Sequence, residues 1–188
     1  STEAHSSIER AAIVAGIGLS GVRRVAAGSE YRMRPDALAD AIAEDRAAGR
    51  WPFCVVATLG TTSSTSVDPA DAIAEICERE KLWLHVDAAY GGAAALAEEF
   101  RPLFRGWERA DSIVVNPHKW MFTPFDASLL LFRRPEAYRD AFRLVPEYLK
   151  TPEGEVARNF NEYGIPLGRR FRALKMWMMI RWFGAEGM

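Results

Sequence analysis

The sequence predicts an α/β fold, with a mostly parallel sheet and flanking helices. Short apolar runs without polar alternation, such as Phe53 to Thr58, are typical of strands that are buried on both faces of a parallel sheet. Segments with apolar residues at helical spacing separate these runs. Strands that alternate with helices indicate βαβ units, and these build parallel sheets.

The first third of the chain is predicted to hold two helices and one strand. Ser6 and Glu9 have the spacing of a capping box, which favours a helix that starts there. Pro35 suits the first turn of a second helix, and Gly49 suits its end. The predicted elements are a helix at 6–16, a short strand at 21–25 and a helix at 35–49.

The remaining chain alternates strands with helices. The predicted strands are 53–58, 82–86, 111–115 and 129–132, and the predicted helices are 69–81, 135–142 and 166–183. Gly184 is predicted to end the last helix. The stretch from Leu144 to Gly164 is polar and contains Pro146, Pro152 and Gly154, so it is predicted to be a long mobile loop.

Composition narrows the classes of function. The chain has 188 residues, which suits one domain, and 24 Lys plus Arg balance 25 Asp plus Glu. We therefore expect neither a nucleic-acid partner nor a membrane partner. Cys54 and Cys77 are expected to be reduced core residues of a cytoplasmic protein. The three histidines lack metal-ligand spacing, so no metal site is expected.

Polar groups follow three predicted strands. A hydroxyl-rich run from Gly60 to Ser66 follows the first, Asp87 follows the second, and the segment Asn116 to Lys119 follows the third. Ligands bind outside the carboxyl ends of the strands in open α/β sheets. The sequence therefore predicts one site that is built from these three strand ends.

Lys119 has two interpretations. In a partly dry site its amine would have a lowered pKa and could attack an aldehyde. Alternatively, its stem packs on Trp120 while the amine reaches water. Asp87 favours the first interpretation, because a carboxylate beside the ring nitrogen keeps a bound pyridoxal protonated and able to accept electrons. Ala88 and Ala89 leave room for a flat ring.

The other polar candidates are ambiguous when each is taken alone. His5 or His118 could stack on such a ring or contact a phosphate, and Thr61 or Thr62 could bond the ring oxygen. Taken alone, each is more often an ordinary polar residue. Asp87 by itself could also cap the turn that follows its strand.

Six ordered segments together resemble the group II pyridoxal-phosphate-dependent decarboxylases of fold type I, and most closely the aromatic L-amino-acid decarboxylases. The resemblance covers essentially the whole chain. The segments are AHSS at 4–7, ATLGTT at 57–62, HVDAAY at 85–90, NPHKW at 116–120, FRL and YLK within 142–150, and IPLGRRF at 165–171.

The resemblance implies cofactor-binding roles for residues at matching positions. Lys119 would form the Schiff base with pyridoxal 5'-phosphate, Asp87 would pair with the pyridinium nitrogen, and His5 would stack on the ring. Thr62 and Ala89 would line the cofactor, with Thr62 near its phenolic oxygen.

The resemblance also implies catalytic roles. Asn116 and His118 would lie near the phosphate or the reacting centre, and His118, Lys119 and His5 would take part in catalysis. Tyr148 would donate the proton to the α-carbon after carbon dioxide leaves. Its loop would reach the partner subunit's site, which implies a homodimer.

The implied reaction is the decarboxylation of an aromatic L-amino acid to its amine, with tryptophan, dihydroxyphenylalanine, tyrosine or phenylalanine as substrate. Tyr90, Trp120 and Gly168 resemble the aromatic branch, and Tyr148 favours amine over aldehyde as product. The alternatives are an aromatic acetaldehyde synthase, a glutamate or sulfinate decarboxylase, and a non-catalytic homologue that binds the cofactor.

The resemblance further implies that this chain is a part of a longer protein. Residues 1–143 would belong to the large cofactor-binding domain, 144–164 would form the catalytic loop, and 165–188 would lead into a small carboxyl-terminal domain. An upstream phosphate-binding loop would also lie outside the chain. We therefore expect the chain alone to be inactive and the parent protein to be the carboxy-lyase.

Overall fold

The computed structural model describes residues 1–144 and 159–188. A four-stranded sheet lies at its centre, with the strands in the order β1–β2–β3–β4. The first three strands are parallel, and β4 runs antiparallel to β3. The strands are β1 (Cys54–Thr58), β2 (Trp83–Asp87), β3 (Ser112–Val115) and β4 (Leu129–Phe132). This arrangement confirms the predicted α/β class.

Six helices are assigned within the described residues. They are α1 (Ser7–Val14), α2 (Pro35–Ala47), α3 (Ala70–Glu80), α4 (Pro117–Trp120), α5 (Pro135–Phe142) and α6 (Arg172–Gly187). Gly184 interrupts α6 with a φ of 67°. Short 3₁₀ turns connect several elements, among them Leu19–Gly21, Gly91–Leu96 and Phe160–Glu162.

The core lies between one face of the sheet and α3. Ile73, Ile76 and Cys77 are three and four residues apart, so they share one face of α3, and all three are buried. They belong to the same buried cluster as Leu84 and Val86 of β2. A fully buried isoleucine contributes about 1.5–3 kcal/mol relative to an exposed one. This packing fixes the sheet that carries the candidate site.

The positions of the four strands predicted from residue 53 onward were confirmed, but one prediction about their burial was wrong. Each strand lies within one residue of its predicted ends at the carboxyl side, because the apolar runs mark them. However, β1 is buried mainly on one face, since Cys54 is exposed and Val56 is half-buried. Cys54 is therefore not a core residue, whereas Cys77 is; both are free thiols.

Two predictions near the amino terminus were wrong. Residues 21–25 form no strand; the 3₁₀ turn Leu19–Gly21 precedes them instead. The Ser6 side chain makes no capping hydrogen bond, and Glu9 does not complete a capping box. The Glu9 carboxylate instead pairs with the Arg24 guanidinium at 2.6 Å, because that charged partner lies within reach.

The last helix begins later than predicted. Residues 166–171 are not helical, and α6 starts at Arg172. Arg169 donates to the carbonyl oxygen of Tyr163, and Arg170 pairs with Asp126, so both side chains make contacts outside a helix. Most of the predicted loop at 144–164 lies outside the described residues. Within the described ranges, no helix is long and apolar enough to cross a membrane.

Candidate active site

The carboxyl ends of β1, β2 and β3 lie side by side. Thr58 is in register with Asp87, and Asp87 is in register with Val114. Backbone bonds continue past the strand ends: the Leu59 N–H donates to the Asp87 carbonyl oxygen (2.8 Å), and the Ala88 N–H donates to that of Val114 (3.0 Å). The three segments that follow these strands therefore leave the same edge of the sheet.

Asp87 carries a nearly buried carboxylate at this edge. Its residue exposure is 7%, and its Oδ1 accepts the N–H of Ala89 at 3.1 Å. Its Oδ2 accepts no hydrogen bond from any residue in the described ranges. It is not one of the fully buried, unpartnered side-chain atoms of the described residues, so it faces accessible space and can accept a donor from there. The protonated nitrogen of a pyridine ring is a donor that fits this position.

The turn that carries Lys119 is tied to the turn after β2. The Asn116 N–H donates to the Ala89 carbonyl oxygen (3.0 Å), and the Lys119 N–H donates to the Asn116 carbonyl oxygen (2.9 Å). The Asn116 side chain is also held, because its Oδ1 accepts the Ser128 hydroxyl at 2.6 Å. Pro117 is buried at the first position of α4, where its fixed φ favours the helical turn.

The Lys119 side chain is not held by any described residue. Its side chain is exposed, and it forms no ion pair or side-chain hydrogen bond within residues 1–144 and 159–188. The sequence had suggested a partly dry environment, which these residues do not supply. Trp120 stacks on Tyr90, with ring centroids 5.0 Å apart and planes inclined by 12°. This stack joins the turns after β2 and β3 beside the lysine.

The glycines at 60 and 91 let the turns after β1 and β2 touch. Gly60 has a φ of 97°, and a Cβ there would lie 2.9 Å from the backbone of Gly91. A Cβ on Gly91 would lie 2.3 Å from the Leu59 carbonyl oxygen. Only residues without a Cβ allow this approach. It brings the start of the hydroxyl-rich run beside the Asp87 turn.

In the hydroxyl-rich run, some hydroxyls bond to each other, whereas that of Thr62 has no hydrogen-bond partner among the described residues. The buried Thr61 hydroxyl accepts the Ser66 N–H (3.1 Å) and bonds the hydroxyls of Ser64 and Ser66, so it stabilises the turn. Thr62 is exposed, and its hydroxyl has no hydrogen-bond partner in the part of the chain that the structure describes. Thr62 is therefore the member that is available to a ligand.

The two candidate histidines differ in how they are held. His118 is half-buried, its Nδ1 accepts the Ala127 N–H (3.0 Å), and its ring meets Phe125 edge-on at 4.8 Å. His5 lies just before α1, with an exposed ring whose Nδ1 is 2.9 Å from the Ser7 hydroxyl oxygen. Among the described residues, no hydrogen bond or ring stack links His5 to the strand ends.

The structure thus brings together most of the predicted residues, but not all. Asp87, Ala89, Asn116, His118 and Lys119 form one connected group, and the turn of Thr62 lies against it. His5 stands apart from the group. Tyr148 lies outside the described residues.

Sequence reasoning missed two polar groups beneath the site. The Thr58 hydroxyl is buried beside Asp87 and has no partner within the described ranges. Asp68 is also buried; it accepts the N–H groups of Thr58 (2.8 Å) and Met33 (2.7 Å) and so fixes the end of β1. Burial raises the pKa of the Asp68 carboxyl. The residue precedes Pro69, so from sequence alone it suggests only the start of a helix.

Sequence reasoning also missed a small network on the same sheet face as Asp87. His85 lies two residues before Asp87 on β2, and period-2 alternation places both side chains on one face. Its Nδ1 lies 2.8 Å from the Ser112 hydroxyl oxygen, which also accepts the Trp83 indole N–H at 2.9 Å. Desolvation by burial lowers the pKa of His85. The alternation of side chains along β2 could have predicted that His85 and Asp87 share one face of the sheet.

Comparison with known proteins decides the family. The family model described as "Pyridoxal-dependent decarboxylase conserved domain" matches residues 1–188. The chain belongs to this family. It is 46% identical over 186 residues to the aromatic-L-amino-acid decarboxylase of Manduca sexta, with 99% of this chain and 36% of that protein covered. It is also 46% identical to the histidine decarboxylase of Drosophila melanogaster, with 100% of this chain and 22% of that protein covered.

A solved structure agrees with this assignment. The crystal structure of Oryza sativa TDC with PLP and tryptamine superposes with a TM-score of 0.92 and is 38% identical, with 97% of this chain and 38% of that chain covered. The chain therefore spans well under half the length of these relatives. Family membership confirms the predicted family, the pyridoxal-phosphate-dependent decarboxylases, and the predicted cofactor.

Proposed function

We propose that the protein to which this chain belongs decarboxylates an aromatic L-amino acid to its amine and carbon dioxide, with pyridoxal phosphate bound covalently to Lys119. One observation supports this most strongly. The partly unsatisfied carboxylate of Asp87 and the exposed amine of Lys119 lie on adjacent turns, which backbone bonds through Ala89 and Asn116 hold together. When bound, the cofactor supplies an electron sink for decarboxylation.

The residues of this chain would hold the cofactor in a defined orientation. Asp87 Oδ2 would accept the ring N–H, and Lys119 Nζ would bond the aldehyde carbon. Ala89 would line the ring, the free Thr62 hydroxyl would reach its phenolic oxygen, and His5 would stack on its other face. His5 needs a shift or a further segment of the parent protein to meet the ring.

Three other residues would act at the reacting groups. Asn116 and His118 would contact the phosphate or the reacting centre, where Ser128 and the backbone of Ala127 orient them. The Tyr148 hydroxyl would hold the proton that is delivered to the α-carbon. Residues 144–164 would carry this tyrosine into the partner subunit's site, which excludes water during reaction.

The aromatic preference is supported by space and by stacking. A Cβ at Gly168 would meet no atom within 4 Å, so nothing that the structure describes explains a glycine there. By the family resemblance, its small size would leave room for a bulky substrate ring. The Tyr90–Trp120 stack adds an aromatic surface beside Lys119.

We further propose that the parent protein is a cytoplasmic homodimer. In it, residues 1–143 form part of the large domain and residues 165–188 lead into a small domain. The family resemblance supports these assignments.

Replacement of one lysine tests the proposal. In the full-length protein, Lys119→Ala should abolish the visible absorbance of the lysine-bound cofactor and the release of carbon dioxide from tryptophan or dihydroxyphenylalanine. Lys81→Ala is the matched control, because Lys81 is exposed at the amino end of β2, on the opposite edge of the sheet. Lys119→Ala protein that retains both signals contradicts the proposal.

Product analysis separates the alternatives. An aromatic acetaldehyde synthase would yield aldehyde and hydrogen peroxide instead of amine. A glutamate or sulfinate decarboxylase would turn over acidic amino acids in preference to aromatic ones. A non-catalytic homologue would bind the cofactor and turn over no amino acid of a broad panel.

A further inference from the structure

The segment that follows α4 folds back over it and holds the site residues. The N–H groups of Met121 and Thr123 both donate to the Pro117 carbonyl oxygen at 3.2 Å. Further along, Ala127 and Ser128 bond the side chains of His118 and Asn116, as described above. The backbone of residues 121–128, here called the return segment, therefore sets where these site side chains lie.

Cations of α6 and of the residues just before it contact this segment from outside. Arg172 Nε donates to Asp126 Oδ2 at 3.0 Å, and an Arg170 guanidinium nitrogen lies 3.3 Å from Asp126 Oδ1. Lys175 Nζ donates to the Pro124 carbonyl oxygen at 2.7 Å. These contacts connect residues about fifty positions apart, so they fix the return segment relative to α6.

Asp126 lies between the two contacts that orient His118. Phe125 meets the His118 ring edge-on, and Ala127 donates to its Nδ1. Asp126 itself makes no hydrogen bond to a candidate site residue in the described part of the chain. It can therefore affect the site only through its neighbours on either side.

We propose that Asp126 is a positioning residue for the turn of His118 and Lys119, held in place by Arg172 and Arg170. A carboxylate held by two guanidinium groups is fixed more tightly than one with a single partner. The Arg172 guanidinium also keeps the pKa of Asp126 below its ordinary value, so the pair stays ionised at neutral pH. The inference relies on the proposed function only for its cofactor readout.

The first test needs no cofactor. In the full-length apoprotein, Asp126→Asn should speed hydrogen exchange of the Lys119, Met121 and Thr123 amides by about 1.5-fold to fivefold, the range expected when a part-exposed ion pair is lost. Glu44→Gln is the matched control. Glu44 lies on α2, and its replacement removes an exposed ion pair with Arg23. It should leave exchange in the turn unchanged.

The second test asks whether the position of the His118–Lys119 turn affects the affinity for pyridoxal phosphate and its absorbance. Asp126→Asn should weaken pyridoxal phosphate binding by about 1.5-fold to fivefold, again the range expected for a part-exposed pair, and shift the pH midpoint of the visible absorbance. Arg172→Gln should have the same effects, and it provides the test if Asp126→Asn does not fold. Because the two side chains act as a pair, the double variant should bind pyridoxal phosphate no more weakly than either single variant.

Two results would overturn the inference. One is unchanged exchange at residues 119–123 in both single variants. The other is a lowered melting temperature with unchanged cofactor affinity and absorbance, which would show that Asp126 only stabilises the fold. A failure of the proposed function is seen separately, because Lys119→Ala would then keep its absorbance while the exchange result in the apoprotein still holds.

Discussion

At the scale of single residues, the carboxylate of Asp87 is the group most directly shaped for a charged ring. One oxygen accepts the Ala89 N–H, and the other faces accessible space without a hydrogen-bond partner among the described residues. Such a carboxylate prefers a cationic donor to an empty position. This explains why the residue lies in a strand end rather than on a free loop.

We expect Asp87→Asn to lower kcat of the full-length enzyme by about 10²- to 10³-fold, as is typical when one electrostatic partner of a reacting group is lost. The amide cannot keep the ring nitrogen protonated. Asp111→Asn is the control, because Asp111 accepts the Leu84 N–H at 2.9 Å on the opposite edge of the sheet. Steady-state kinetics measure the effect, and equal losses in both variants would contradict the role of Asp87.

Gly168 is predicted to set substrate size. Gly168→Ser should lower kcat/KM for tryptophan about tenfold to a hundredfold relative to histidine, because one added group in a substrate pocket has effects of that order. Gly28→Ser is the control, since a Cβ there makes only an ordinary contact, 3.8 Å from Arg34. An unchanged ratio of the two kcat/KM values in Gly168→Ser would remove Gly168 from the substrate pocket.

At the scale of secondary structure, the strands could be predicted because their signal is local. Apolar runs mark β1 to β4, and the polar residues that follow three of them predicted the edge where the site lies. The antiparallel direction of β4 could not be derived from its four apolar residues. The Asp126–Arg172 pair also could not, since 46 residues separate its members.

The errors at element ends have a common cause. Ser6 and Glu9 have the right spacing for a capping box, yet Arg24 takes the Glu9 carboxylate. Residues 166–171 have helical composition, yet tertiary contacts of Arg169 and Arg170 hold them outside α6. Tertiary partners therefore override weak local preferences at these positions.

His85 should make the stability of the sheet depend on pH. Its folded-state pKa is lowered below the ordinary 6.5 because burial disfavours the imidazolium. The unfolded state thus binds the proton more readily, and stability is lost as the pH falls through 6.5. We expect the melting temperature of the wild-type protein to drop more than that of His85→Gln between about pH 7.5 and about pH 5. Equal drops in both proteins would show that His85 does not contribute.

At the scale of the whole molecule, the exposure of the candidate site is explained by the part of the protein that this chain represents. Lys119 is exposed, and His5 is unconnected to the strand ends, in a chain that covers 36% of the Manduca sexta relative. The remaining walls, including the upstream phosphate-binding loop, would come from the rest of the parent protein and from its partner subunit. The strand-end group that this chain supplies is the part that sequence could predict.

The proposed dimer makes a quantitative prediction. Neither Lys119→Ala nor Tyr148→Phe subunits alone should form amine, but a mixed dimer would contain one site with both groups intact. Random reassociation of equal amounts should therefore restore about a quarter of wild-type activity, since half of the dimers are mixed and each has one working site. Activity that stays at the level of the separate variants would show that Tyr148 acts within its own subunit.

The proposed covalent bond between Lys119 and pyridoxal phosphate can be tested by chemical trapping. Borohydride reduction of the full-length protein with pyridoxal phosphate fixes the bond between lysine and cofactor, and peptide mass spectrometry then locates the label. We expect a phosphopyridoxyl group on Lys119 within the peptide that contains NPHKW. A label on Lys81 or Lys175 in its place, or no label at all, would contradict it.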